Sequence, residues 1–157
     1  STLFPYTTLF RSPYRVDPRD ADYFAREIEP LLSRPGVEFI GEIGETEKGE
    51  FLGNAAALLF PIDWPEPFGL VMIEAMACGT PVVAYRRGSV PEVIEDGVTG
   101  YIVEGIEQAA AAVGAAPGLD RRKCRETAER RFSATRMAQD YIDIYRLLGE
   151  ARCQLRA

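Results

Sequence analysis

Asp63-Trp64-Pro65-Glu66-Pro67-Phe68-Gly69-Leu70-Val71-Met72-Ile73-Glu74-Ala75-Met76-Ala77-Cys78-Gly79-Thr80-Pro81 is the stretch on which the reading of the fold turns. Just before it, Ala56 to Ile62 is a continuous apolar run, the pattern of a strand buried on both faces. From Phe68 to Cys78 every side chain except Glu74 is apolar or glycine, and Gly79 ends the run. That pattern predicts a helix buried on all sides. Pro81 to Tyr85 reads as the next strand. Strand, loop, apolar helix and strand in succession predict an α/β fold with a mainly parallel sheet.

Upstream, Tyr23, Phe24, Ile28, Leu31 and Leu32 recur at helical spacing after a cap at Asp17 or Asp20, and Pro35-Gly36 stops the helix. Val37 to Gly41 is a short β-type run, and Glu45 to Asn54 reads as a polar loop and a short helix. Downstream come a short helix over 91–95, the Asp96-Gly97 turn and a last short strand over 100–104. Three helices follow, over 107–116, 121–132 and 134–152, with Asp120 and Ser133 placed as N-caps. The last helix carries Met137, Tyr141, Ile144, Tyr145 and Leu148 on one face. No repeat and no linker divides the chain after residue 12, so 13–157 reads as one domain.

The 157 residues hold 18 basic and 24 acidic side chains and no histidine, a net charge of −6. The acidic balance argues against nucleic acid or an anionic membrane as the main partner. Without histidine there is no Ser-His or Cys-His nucleophile pair and no His-ligated metal. Cys78, Cys124 and Cys153 are widely spaced and odd in number, which fits a reducing cytoplasm rather than a disulfide framework. No apolar run is long enough to span a bilayer. Residues 2–12, Thr-Leu-Phe-Pro-Tyr-Thr-Thr-Leu-Phe-Arg-Ser, resemble one reading frame of a common DNA-sequencing adapter. The other reading of that segment is a native strand rich in threonine and aromatics.

Two acids carry the chemistry. An unpaired Glu74 in an apolar helix costs several kcal/mol or takes up a proton. It therefore either pairs with a buried arginine or lysine, or faces a cleft where ligand hydroxyls satisfy it. Glu66 lies eight positions earlier, in a proline-stiffened loop between a strand and that helix. Ligands of open α/β sheets bind at the carboxyl ends of the strands, which is where this loop falls. The backbone N–H groups of Phe68, Gly69 and Leu70 at the helix start form an anion site. Glu74 follows about 6–9 Å along the helix. Acid, anion site and acid in that order match the layout of a nucleoside diphosphate sugar: sugar hydroxyls, pyrophosphate, ribose hydroxyls. Taken alone, Glu66 also reads as a solvated loop residue.

Glu66-x7-Glu74, with Pro67-Phe68-Gly69-Leu70 between and Glu74 to Ala84 after, resembles the retaining glycosyltransferases of family 4, which have the GT-B fold. Val37 to Gly41, Gly88 to Ile94, Asp96 to Tyr101 and Arg131-Phe132-Ser133 agree with it, so the resemblance covers about 17–148. It implies a partial Rossmann-like domain, the C-terminal donor-binding part of a GT-B enzyme, with residues 1–12 as a non-native segment. Glu66, as the catalytic residue, would contact the hydroxyls of the donor sugar. Phe68, Gly69 and Leu70 would lie along the sugar and diphosphate, and Glu74 would hold the ribose. Gly41, Glu42 and Ile43 would border the nucleobase. Arg86 and Arg87 would approach the phosphates or form a solvated patch, and Glu92 would be structural.

The family's upstream arginine and lysine, five positions apart, have no match in 13–36, and the acceptor domain is absent. The resemblance therefore implies a truncated chain, inactive alone, whose full-length form moves a sugar from a nucleotide to an unknown acceptor hydroxyl without a metal or other cofactor. It leaves a peripheral place on a membrane open for that form. A GT-B sugar-nucleotide epimerase and a non-catalytic α/β binding module are the alternatives.

Overall fold

The computed structural model describes residues 6–7, 21–38, 40 and 43–154, so the expected caps Asp17 and Asp20, and Phe39, Gly41 and Glu42, lie outside the described residues. The chain forms two compact units, Ser1–Phe51 and Leu52–Ala157. In the first, strand β1 (Tyr6–Thr7) pairs in parallel with β2 (Val37–Glu38). The expected helix is α1 (Ala21–Tyr23), a π-helical segment (Phe24–Ile28) and α2 (Glu29–Leu32) in succession. Pro30 explains the π segment. It has no N–H to give Arg26, and its ring crowds that carbonyl. The ladder widens, and the Glu29 N–H donates to the Phe24 carbonyl five residues back. Phe24, Ile28 and Leu32 are half-buried, whereas Tyr23 and Leu31 are exposed.

Helix α3 (Glu45–Asn54) carries the chain onward. It is longer than the loop and short helix read from its polar composition. Gly44 supplies the first carbonyl of the turn to the Lys48 N–H at 3.0 Å, and the Lys48 ammonium reaches Glu45 at 2.9 Å.

The second unit is built on strands β3 (Leu58–Phe60), β4 (Val82–Tyr85) and β5 (Gly100–Val103), all parallel in the order β3-β4-β5. Helix α4 (Leu70–Ala77) joins β3 to β4, and α5 (Val90–Val93) lies between β4 and β5. Helices α6 (Ile106–Ala115), α7 (Arg121–Phe132) and α8 (Ala134–Gln154) complete the chain. On one face of the sheet, Val83 and Val103 pack with Ala112 of α6 and with Ala116 just beyond its end. Small alanines let that helix settle close to the strands. Leu58, Phe60, Val82 and Ala84 are also buried, and so are Met72, Ala75 and Met76 of α4. Each methionine so buried contributes about 1.5–3 kcal/mol relative to an exposed one.

Two expectations need correction. The 56–62 run is not buried on both faces: Leu59 is 43 % exposed. In register it stands beside Val83, on the face whose packed cluster draws on β4, β5 and α6. Nor is α4 buried all round. Leu70 is 62 % exposed, and Val71, Ile73 and Glu74 are only half-buried. Within this unit the sheet and α7 take one side of α4. The stripe expected on α8 exists but is uncovered, with Met137, Tyr141, Ile144, Tyr145 and Leu148 exposed.

Helix α7 straps the unit together. The Arg121 guanidinium donates to the carbonyls of Ala55 (2.7 Å) and Gly53 (2.6 Å) and to the Thr80 hydroxyl (2.9 Å). Thr80 in turn donates to the Leu52 carbonyl at 2.6 Å. At the other end, Arg131 holds the Val93 carbonyl and the Glu95 carboxylate. Asp120 caps the helix by accepting the Arg122 N–H at 2.9 Å, as its position predicts. Burial pushes the Cys124 thiol up from its ordinary value, with nearby Arg121 opposing the shift, so this cysteine stays a protonated core residue.

Gly100 stands beside Val82, where a Cβ would overlap the Val82 carbonyl oxygen. Gly100→Ala is expected to cost about 3–4 kcal/mol by forcing β4 and β5 apart. Gly114, exposed in the last turn of α6, has open space around it, and Gly114→Ala is expected to gain about 0.5 kcal/mol. Urea unfolding midpoints of the two variants check both values.

Candidate functional site

The carboxyl ends of the three strands converge on one edge of the sheet. Asp63 and the loop to α4 follow β3, Arg86 to Ser89 follow β4, and Glu104 follows β5. Crossing ion pairs join these loops. The Arg87 Nε lies 2.9 Å from Asp63, and the Arg86 Nε 2.7 Å from Glu104. Both arginines, left open between phosphate contact and a solvated patch, are therefore engaged by carboxylates. A cleft of about 590 Å³ opens here, lined by Asp63, Tyr85, Arg87, Glu104, Gly105 and neighbouring residues at the start of α6. Glu66 and Glu74 are not among the residues that line it.

The Glu66 loop is fastened through its main chain. The Glu66 carbonyl accepts the Ser89 N–H at 2.9 Å. Gly88, at φ 49°, lies so close that a Cβ would overlap the Glu66 carbonyl oxygen and come 2.8 Å from the Pro65 carbonyl carbon. Only glycine meets both the left-handed conformation and the contact. The Glu66 N–H donates back to the Trp64 carbonyl at 2.8 Å, a tight turn centred on Pro65, whose fixed φ suits it. Phe68 meets Phe132 of α7 edge to face, with ring centroids 6.5 Å apart.

The Glu66 carboxylate is held at both oxygens. Oε1 accepts the Gly69 N–H at 3.2 Å and Oε2 accepts the Trp64 indole N–H at 3.1 Å. One of the helix-start amides read as free is thus occupied by the acid itself, because the short loop turns the carboxylate back onto the positive end of α4. Gly69 adopts φ 71°, and Phe60 and Met72 crowd the space where a Cβ would stand. Glu74 lies just over one turn into α4, half-buried and engaged with a partner inside the chain. Glu66, Phe68, Gly69, Leu70 and Glu74 accordingly belong to one loop and the first turns of one helix. Ile43 lies in the first unit and is half-buried; Glu42 lies outside the described residues.

Three participants were missed in the sequence. Trp64 holds Glu66, Gly88 admits the Glu66 peptide, and Ser89 fastens it. The Trp64-Pro65-Glu66 spacing was the one available signal, since the fixed φ of a proline favours a tight turn centred on it. The Ser89 hydroxyl is buried without a hydrogen-bond partner among the described residues.

The family described as "Glycosyl transferases group 1" matches residues 16–130. The chain is 41 % identical over 89 residues to a D-inositol 3-phosphate glycosyltransferase of Streptomyces scabiei, a match that covers 54 % of this chain and 20 % of that protein. Among solved structures, sucrose-phosphate synthase from Thermosynechococcus elongatus matches 92 % of this chain and 38 % of its own, at 31 % identity and a TM-score of 0.72. Anabaena Alr3699/HepE in complex with UDP matches 81 % of this chain and 37 % of its own, at 26 % identity and a TM-score of 0.67. The chain therefore spans between a fifth and two fifths of the length of these proteins. The α/β arrangement expected from the sequence, with its parallel sheet and C-terminal helices, is a GT-B type of fold shared with them.

Gly88→Ala is expected to cost about 2–4 kcal/mol, because both the Glu66 peptide and the positive φ resist a Cβ. Ser89→Ala removes an unpartnered buried hydroxyl and is expected to be neutral or mildly stabilising. Thermal melts of the two variants check the contrast.

Proposed function

The chain belongs to the group 1 glycosyl transferases, and on that premise we propose that it is the donor-binding part of a retaining, family-4-type enzyme. In this reading a sugar passes from a nucleoside diphosphate to an acceptor hydroxyl with its anomeric configuration kept. The observation that carries it is Glu66, a carboxylate held over the start of α4 at the carboxyl edge of a parallel sheet. Two of its lone-pair positions are taken by N–H donors, which leaves acceptor capacity for sugar hydroxyls. A relative of known structure, Alr3699/HepE, was crystallised with UDP, which supports a nucleotide donor.

Glu66 contacts the hydroxyls of the donor sugar. The backbone of Phe68, Gly69 and Leu70 lies along the sugar and diphosphate, where the α4 dipole stabilises the charge that grows on the leaving group. Glu74, half-buried on the partly open side of α4, holds the ribose. No metal is required in this scheme, because backbone amides and a helix N-terminus supply the positive field. An epimerase acting on the same donor is the second reading, and the same groups would serve it.

The chain covers about two fifths of the solved relatives named above, so we propose that the acceptor-binding portion is supplied from outside these residues and that the chain alone transfers no sugar. We also assign it to the cytoplasm, which suits the unpaired thiols of Cys78 and Cys124. No helix among the described residues is long and apolar enough to cross a membrane.

In the full-length enzyme, Glu74→Ala is expected to weaken donor binding by about 10- to 100-fold, the loss of hydrogen bonds to a charged acceptor. Titration calorimetry with a panel of UDP-, GDP- and ADP-sugars reads this directly. An unaltered Kd removes Glu74 from the donor site. Retention is read from the anomeric configuration of the product by NMR, and inversion overturns it.

A further inference from the structure

We propose that Trp64 is the positioning residue for Glu66, fixing its carboxylate so that it meets the donor's sugar while leaving the nucleotide unaffected; this rests on the donor-site reading above. Trp64 is the chain's one tryptophan and is 58 % exposed, so it is not a core side chain among the described residues. What it does make is a two-point clasp. Its carbonyl accepts the Glu66 N–H at 2.8 Å, and its indole N–H donates to Glu66 Oε2 at 3.1 Å. Pro65 between them fixes the backbone angle that closes this turn.

A glutamate has three side-chain torsions, and an exposed one samples many rotamers. Main-chain bonds to Ser89 place the Glu66 backbone but leave those torsions open. The Gly69 N–H holds one carboxylate oxygen only, about which the group still swings. The indole N–H holds the other, so the plane of the carboxylate becomes defined. Indole is a donor only and cannot turn to compete as an acceptor. The lone pairs that remain face a restricted set of hydroxyl directions, and this preorganisation lowers the ordering cost of binding the sugar.

The ion pair of Asp63, the residue before Trp64, with Arg87 adds a tether at the start of the loop. It anchors the clasp to the β4 loop, which also receives the Glu66 peptide.

The test uses the 157-residue chain, its Trp64→Phe, Glu66→Ala and double variants, and UDP-, GDP- and ADP-sugars beside their parent nucleoside diphosphates. Trp64→Phe keeps an aromatic ring at an exposed position and removes only the N–H donor. It is expected to weaken the best-bound sugar nucleotide about tenfold, or about 1.4 kcal/mol, with the parent nucleotide unchanged. In the Glu66→Ala background the same change is expected to add nothing, since the group it positions is gone. Without any ligand, the single indole N–H resonance is expected to move upfield in Glu66→Ala. An indole resonance that stays put, equal losses for nucleotide and sugar nucleotide, or full additivity in the double variant overturns the assignment of Trp64. Failure of every sugar nucleotide to bind, or an unchanged affinity in Glu66→Ala, overturns the donor-site reading instead.

Discussion

The peptide of Glu66 rests against a glycine, and the candidate site depends on that approach. Gly88 leaves no room for a side chain between the β4 loop and the β3 loop, so the Glu66 carbonyl can reach the Ser89 N–H. Everything nearer the chemistry is built from there. The main chain is placed first, the tight turn at Pro65 follows, and the carboxylate is then held between an amide and an indole. A loop with a free main chain would dilute each of these short contacts with backbone entropy.

Helix α7 does for the scaffold what Gly88 does for the loop. Arg121 at one end gathers the carbonyls that lead into β3, together with the turn after α4. Phe132 at the other end meets Phe68 just before α4 begins. The helix that presents Glu74 is therefore held at both ends by one neighbour, and its first turn cannot drift relative to the strand that precedes it. Arginine suits this task because its planar fork reaches several carbonyl oxygens at once.

The alternation of strands and helices, and with it a mainly parallel sheet, was legible in the sequence, because hydrophobic period and glycine-proline punctuation are local. Most element boundaries agreed within a few residues. Most of the disagreements concern what lies beside an element. Leu59 has the same apolar character as Leu58 and Phe60, yet it stands exposed on the other face of β3. The apolar faces of α4 and α8 predict burial, but a stripe records only a need for cover, and in the second unit much of that cover is not supplied. The π segment was present in the sequence as Pro30 and was not read, since a proline in a helical pattern announces a disturbance without its form.

Glu66 and Glu74 stood out in the sequence alone, because an acid in an apolar helix and an acid in a rigid loop are each costly enough to call for a partner, and an ion pair or a ligand can answer that need. The family match agrees with the chemistry those residues suggest. The environment of Glu66 was decided only by the tertiary structure. Whether its oxygens meet water, a helix amide or an indole depends on a turn geometry and on a glycine 22 positions downstream. Spacing along the chain specifies which groups are available. Distances of about 3 Å between them depend on every backbone angle in the loop, and those are set by packing rather than by any single residue.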